Sequence, residues 1–170
     1  PLKVSYSAGA WGLACNAIHY IDLTSFFSRE SLISIDTTGL DDKWYESKRP
    51  GYFEINGALI GHFSNGTCLH LGSNRAAQAE PIRIVLSDGA FWEIDESNGT
   101  GRSSNSERIT GSIELQSQLS GRLVDEMLQR ENCDLPSFDE SYAMHAIYID
   151  SMLAHWNQSR SRNDDFVPIT

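Results

Sequence analysis

The stretch WGLACNAIHYIDL, residues 11–23, sets a cysteine, an asparagine, a histidine and an aspartate inside one short apolar run. Trp11, Cys15, Ile18, Asp22 and Phe26 recur at steps of three and four residues, so residues 11–27 are expected to form a helix, with Gly9 as a flexible lead-in. On such a helix Cys15, Asn16, His19 and Asp22 fall along one edge. His19 can move a proton near neutral pH, Asn16 can hold a hydroxyl group, and Asp22 can orient the imidazole. The same spacing fits an amphipathic core helix whose histidine makes a local contact, and spacing alone leaves both readings open.

Working outward, Ser31–Thr38 alternates as a strand, and residues 41–50, closing on Pro50, read as a loop. Residues 53–63 run into Asn65-Gly66 and out through 68–71. Residues 82–86 run into Asp88-Gly89 and out through 91–94. Read as two-residue turns, these give two hairpins. That register places Ile82, Ile84, Leu86 and Phe91 on one sheet face and Val85, Trp92 and Ile94 on the other, so both faces need a cover. Residues 97–107 read as a polar loop, and Ile109, Gly111, Ile113 and Leu115 as one more strand. Helices are expected over 119–131, with Leu119, Leu123 and Met127 on one side, and over 137 to about 156. The second has a capping box, Ser137 with Glu140, and an apolar stripe of Phe138, Tyr142, His145, Ile149, Met152 and Trp156. The residues after it read as a polar tail closing on a short apolar piece. The order is α+β: an open, mainly antiparallel sheet with helices packed on one face and the other face available to a partner subunit.

Composition excludes several classes. The 170 residues suit one domain. A net charge of −10 with scattered Lys and Arg disfavours nucleic acid. No stretch approaches the ~20 apolar residues of a membrane span. No signal peptide opens the chain, and Cys15, Cys68 and Cys133 show no zinc-type spacing, so a reduced, cytoplasmic protein without a metal is expected. In the two-residue register His62 and His70 point to opposite faces and cannot share a metal. His145 is expected as a hydrogen-bonded core or interface residue and His155 at the surface. The N-x-S/T matches at Asn65, Asn98 and Asn157 carry little weight without a leader.

GAWGLACNAIHYIDL resembles the glycine-then-DxxxHxxD segment of the Gfo/Idh/MocA oxidoreductases, nicotinamide-dependent dehydrogenases of sugars, inositols and related polyols. ITGSIELQSQLSGRLVDEML, the LPSFDES helix start with His145 after it, and the closing VPIT resemble the second half of such enzymes in the same order. The resemblance implies that residues 1–170 are the single C-terminal domain, whose sheet packs on another subunit in a homo-oligomer. The N-terminal Rossmann domain, which binds NAD or NADP and carries a catalytic lysine, is absent. No G-x-G-x-x-G follows a strand, so no cofactor is expected on this chain. The chain starts Pro1-Leu2-Lys3 and is expected to be a piece of a longer protein.

Carried over by position, His19 is the catalytic histidine that assists proton transfer from the reacting hydroxyl. Cys15, Asn16, Asp22 and Trp11 are the expected substrate-binding set. Cys15 stands where many members place an acidic residue, and neither it nor Asn16 can replace a carboxylate as a base. The relay then rests on His19 and the lysine of the other domain, or the reaction has been lost, leaving a sugar-sensing or dimerisation domain. The isolated domain is expected to be inactive in both cases.

Overall fold

In the computed structural model, residues 1–112, 114, 116–131 and 135–169 are described. The strands are β1 (Lys3–Ala8), β2 (Leu32–Leu40), β3 (Tyr45–Glu46), β4 (Phe53–Glu54), β5 (Gly57–Phe63), β6 (Cys68–Ser73), β7 (Ile82–Val85), β8 (Phe91–Asp95), β9 (Thr100–Ser103) and β10 (Arg108–Thr110). The helices are α1 (Leu13–Ser28), α2 (Gln116–Arg130) and α3 (Phe138–Arg160). Eight strands form one open sheet in the order β10-β9-β8-β7-β1-β6-β5-β2, and β3 and β4 form a separate ribbon. All ladders are antiparallel except β1 with β6. This is the expected α+β architecture.

The central strand β1 had no counterpart in the sequence reading. Val4, Tyr6 and Ala8 alternate inward, but the interleaved serines dilute the apolar signal. The expected polar loop 97–107 also contains β9, which pairs with β8 and β10. Of the strand expected around 109–115, Ile109 lies in β10, whereas Ile113 and Leu115 fall outside the described residues, as does Cys133.

The hairpin registers differ from the two-residue expectation. Gly66 N–H donates to Phe63 O and Phe63 N–H to Thr67 O; Gly89 N–H donates to Leu86 O and Leu86 N–H to Ala90 O. Each turn therefore holds three residues, the last a glycine with positive φ, followed by a bulge. The extra residue flips one strand of each pair. His62 lies opposite Cys68, and Ile60 opposite His70, so His62 and His70 share a face rather than opposing each other. Among the described residues no third ligating side chain joins them. Likewise Ile82 and Ile84 face Ile94 and Trp92, leaving Val85 and Phe91 on the other side. The sheet thus has one apolar face and one mixed face, and the sequence argument for two apolar faces does not survive.

The apolar face, with Val4, Leu59, Phe63, Leu69 and Leu71, is buried together with α1 and α3. On α1 the buried stripe is Leu13, Ala17, Ile21 and Thr24, not the Trp11–Phe26 stripe expected; Phe26 is exposed. The small Ala14 and Ala17 allow close approach to the sheet but contribute a weak hydrophobic signal. On α3 the Ser137 hydroxyl accepts from Glu140 N–H and the Glu140 carboxylate accepts from Ser137 N–H, as the capping box requires. The buried stripe here is Met144, Tyr148, Met152, His155 and Trp156, while Phe138 and Tyr142 are exposed. The two histidines exchange roles: His145 is exposed and bonded to Ser141 O, and His155 is buried against Asp41 O. The closing segment docks through Pro168 O, which accepts from Phe53 N–H, and buries Val167.

A third hairpin of the same form closes β9 onto β10, but Ser106 occupies the positive-φ position (66°) that Gly66 (84°) and Gly89 (88°) hold in the others. Left-handed backbone costs a non-glycine residue roughly 1–2 kcal/mol. A Cβ at Gly89 would meet nothing within 4 Å, so a substitution there tests the backbone alone. Gly89→Ala should destabilise by about 1 kcal/mol and Ser106→Gly should stabilise by a few tenths to about 1 kcal/mol in urea unfolding. Equal midpoints for wild type and both variants would contradict the turn assignment.

Candidate substrate cleft

Helix α1 begins without a side chain of its own to cap it. Its N-cap is Gly12, at φ 80°, and no side chain at that position accepts from the first turn. The acceptor comes from across the fold: Glu54 of β4 takes Ala14 N–H on Oε2 at 2.8 Å and Cys15 N–H on Oε1 at 3.2 Å. A carboxylate suits this place because the first-turn N–H groups are unpaired and the helix N-terminus is electropositive. Burial nevertheless pushes the Glu54 carboxyl above its ordinary range, against the lowering effect of the bonds from Ala14, Cys15 and Ile55. The buried Tyr148 hydroxyl, from α3, donates to Ala14 O at 2.6 Å. The start of α1 is therefore held from two sides.

So held, α1 turns Asn16, His19, Tyr20 and Leu23, at i, i+3, i+4 and i+7, towards one cleft. Tyr6 of β1, Trp11 and Glu96, in the turn after β8, complete the lining of a volume of about 420 Å³. The aromatic rings are mutually braced. Tyr6 stacks on Tyr20 with centroids 4.6 Å apart, and Trp11 sets its edge to both at 5.2 and 5.3 Å. Trp11 Nε1 donates to Gly72 O at 2.8 Å, fixing the indole to β6. Asn16 Nδ2 donates to Trp11 O and Gly12 O, which anchors the amide at the head of the helix and leaves Oδ1 as its accepting end. Tyr20 is kept protonated well above the usual phenol range by burial first, then by the Tyr6 hydroxyl and the Glu96 charge. It is thus a standing hydrogen-bond donor beside an exposed imidazole.

Of the residues singled out from sequence, Trp11, Asn16 and His19 line this cleft, and Cys15 and Asp22 do not. Cys15 is half-buried, with its backbone on Glu54. Asp22 is half-buried, and burial raises its pKa; the nearby His19 opposes the rise most, Glu140 adds to it and His145 opposes it. No hydrogen bond joins Asp22 to His19 among the described residues, so the imidazole is not oriented by that carboxylate here. Tyr6, Tyr20, Leu23 and Glu96 were not foreseen. The 16-19-20-23 spacing was readable in the sequence, whereas Tyr6 and Glu96 arrive only through the sheet. A second hollow of about 390 Å³, lined among others by Glu93, Asp95, Thr100, Arg102 and Arg108, lies at β8–β10. There Glu93 is already neutralised by Arg83 at 2.8 Å and Arg102 at 2.6 Å.

The Glu54 arrangement yields a signed prediction. The raised pKa means that the folded state binds the Glu54 proton more tightly than the unfolded chain does. That contribution to stability is full below the ordinary glutamate pKa and is lost as pH rises through the raised value. Glu54→Gln should therefore gain on wild type over that window, and Glu54→Ala, which strands two N–H groups, should lose about 1–3 kcal/mol in urea unfolding. A Glu54→Gln difference independent of pH, together with a neutral Glu54→Ala, would contradict the capping role.

No family profile matches this chain, and no curated protein matches it. Solved structures do. A protein assigned as an NADPH-dependent oxidoreductase from Desulfitobacterium hafniense superposes with TM-score 0.54 at 12% identity, covering 95% of this chain and 55% of that one. Aldose-aldose oxidoreductase from Caulobacter crescentus gives 0.55 at 10% identity, covering 94% and 53%. UDP-N-acetylglucosamine 3-dehydrogenase from Acidithiobacillus ferrooxidans gives 0.51 at 14% identity, covering 89% and 52%. The chain spans about half the length of these neighbours. At such identities the likeness is one of fold: this chain shares its fold with about half the length of each of these oxidoreductases.

Proposed function

We propose that this chain is the substrate-binding and oligomerisation domain of a nicotinamide-dependent oxidoreductase that acts on a hydroxyl of a sugar, an inositol or a related polyol. The observation that carries the reading is the cleft itself. A proton-transfer group, His19, and an amide, Asn16, stand beside a wall of aromatic rings and a carboxylate, in a fold shared with oxidoreductases. A polyol presents hydroxyl groups along an apolar carbon skeleton. Ring faces cover the skeleton, and Asn16, His19, Tyr20 and Glu96 can pair with the hydroxyls.

The lining does not fit a dinucleotide. Among the described residues it contains no lysine or arginine, and no glycine-rich strand-to-helix turn is present to take a pyrophosphate. In this proposal NAD or NADP is held by a separate Rossmann domain and serves as the hydride acceptor. What this chain does is bind and aim the substrate. His19, exposed at the cleft, takes the proton of the reacting hydroxyl. Asn16, pinned through Nδ2, presents Oδ1 to a neighbouring hydroxyl. The mixed sheet face, with Ala58, Ile60, Val85 and Phe91 among polar residues, is where a second copy would pack. The setting proposed is the reducing cytoplasm.

One observation favours a second reading. Cys15 stands where the family pattern has an acidic residue, and among the described residues α1 contributes no carboxylate to the cleft lining. A sugar-sensing or dimerisation domain without chemistry would tolerate that loss. Turnover separates the two. In the protein carrying its cofactor domain, His19→Ala should lower kcat by roughly 10²–10⁴-fold with cofactor affinity unchanged. Undiminished turnover across a polyol panel would remove His19 from the reaction. The 170 residues alone should show no NAD(P)-dependent turnover.

A further inference from the structure

We infer that Glu96 is a specificity residue that selects uncharged, unphosphorylated polyols and rejects sugar phosphates and nucleotide-linked sugars. The inference rests on the substrate reading above and refines it.

Its basis is the charge of the cleft. Among the described residues Glu96 is the one acidic side chain of the lining; it is exposed, and its charge is felt by the Tyr20 hydroxyl. Among the described residues no hydrogen bond or ion pair engages its carboxylate, in contrast to Glu93 of β8, whose two oxygens are taken up by Arg83 and Arg102. Glu96 thus keeps its accepting capacity. A free carboxylate accepts from two adjacent hydroxyls at once, which matches a vicinal diol. A phosphate offers it no donor and adds like charge.

Nothing around it reverses the sign. The other lining groups are aromatic rings, Leu23, Asn16 and the imidazole of His19. Among the described lining residues the ring nitrogens are those of His19 and the Trp11 Nε1, the latter committed to Gly72 O, and the hydroxyls of Tyr6 and Tyr20 are uncharged donors. The chain as a whole carries a net charge of −10, so the far field also opposes an anionic ligand. UDP-N-acetylglucosamine 3-dehydrogenase shares the fold, so fold alone does not set this preference, and the lining residues must.

The test is a titration of the full 170-residue chain, followed by Trp fluorescence and calorimetry, with a panel of free hexoses and inositols and with the monophosphates of the same compounds. At least one free compound should bind, with its monophosphate at least tenfold weaker at neutral pH. Glu96→Lys should narrow or invert that ratio, and Glu96→Gln should narrow it, with circular dichroism confirming that both variants fold. A monophosphate that binds as tightly as its parent, or a ratio indifferent to Glu96→Lys, would overturn the inference while leaving the sugar reading in place. Absence of binding by both series would overturn the sugar reading, and this inference with it.

Discussion

A helix that starts on glycine must find acceptors for its first N–H groups somewhere else. Here they are found forty residues downstream, on the Glu54 carboxylate. That contact ties α1 to the β3–β4 ribbon, which is itself tied to the chain's end through Phe53 and Pro168. Trp44, Phe53 and Trp156 pack at the same corner, with the Arg160 guanidinium 4.2 Å above the Trp156 ring. With Tyr148 fixing Ala14 from α3, the rotation of α1 about its own axis is set. The rotation decides which residues meet the cleft. A turn of α1 by one residue would replace Asn16, His19 and Tyr20 with a different set.

That dependence explains how much of the molecule was legible in its sequence. Local devices were readable: the Ser137–Glu140 capping box depends on residues three apart, and α3 starts where it predicts. Strand positions were mostly readable from alternation. Registers were misread because Asn-Gly and Asp-Gly serve both a two-residue turn and a three-residue turn with a bulge. The hydrophobic pattern holds the missing information. Only the bulged register gathers Leu59 and Phe63 with Leu69 and Leu71, and Ile82 and Ile84 with Trp92 and Ile94, on one face. On α1 the large aromatic residues outweighed the alanines, although the alanines are what face the sheet. The Glu54 cap joins residues too distant in sequence for any local pattern to show.

The candidate site was half legible for the same reason. His19, Asn16 and Trp11 came from one contiguous segment and share the cleft. Tyr6 and Glu96 reach it only because β1 lies beside β7 and β7 beside β8, a topology with a parallel β1–β6 pair that no short motif signals. The resulting wall is apolar and rigid on one side and polar on the other, the usual division between affinity and orientation in a small-molecule site. Cys15 and Asp22, from the same segment, lie outside the cleft lining: the Cys15 backbone N–H is held by Glu54, and Asp22 is half-buried.

The central claim is that a polyol binds between α1, β1 and the turn after β8. The most direct measurement is a two-dimensional amide and indole NMR titration of the 170-residue chain with a free polyol that it binds. The account predicts saturable shifts at the Trp11 indole, Tyr6, Asn16, His19, Tyr20 and Glu96, with the β8–β10 hollow unmoved. Shifts confined to Asp95, Arg102 and Arg108, or scattered without saturation, would contradict it.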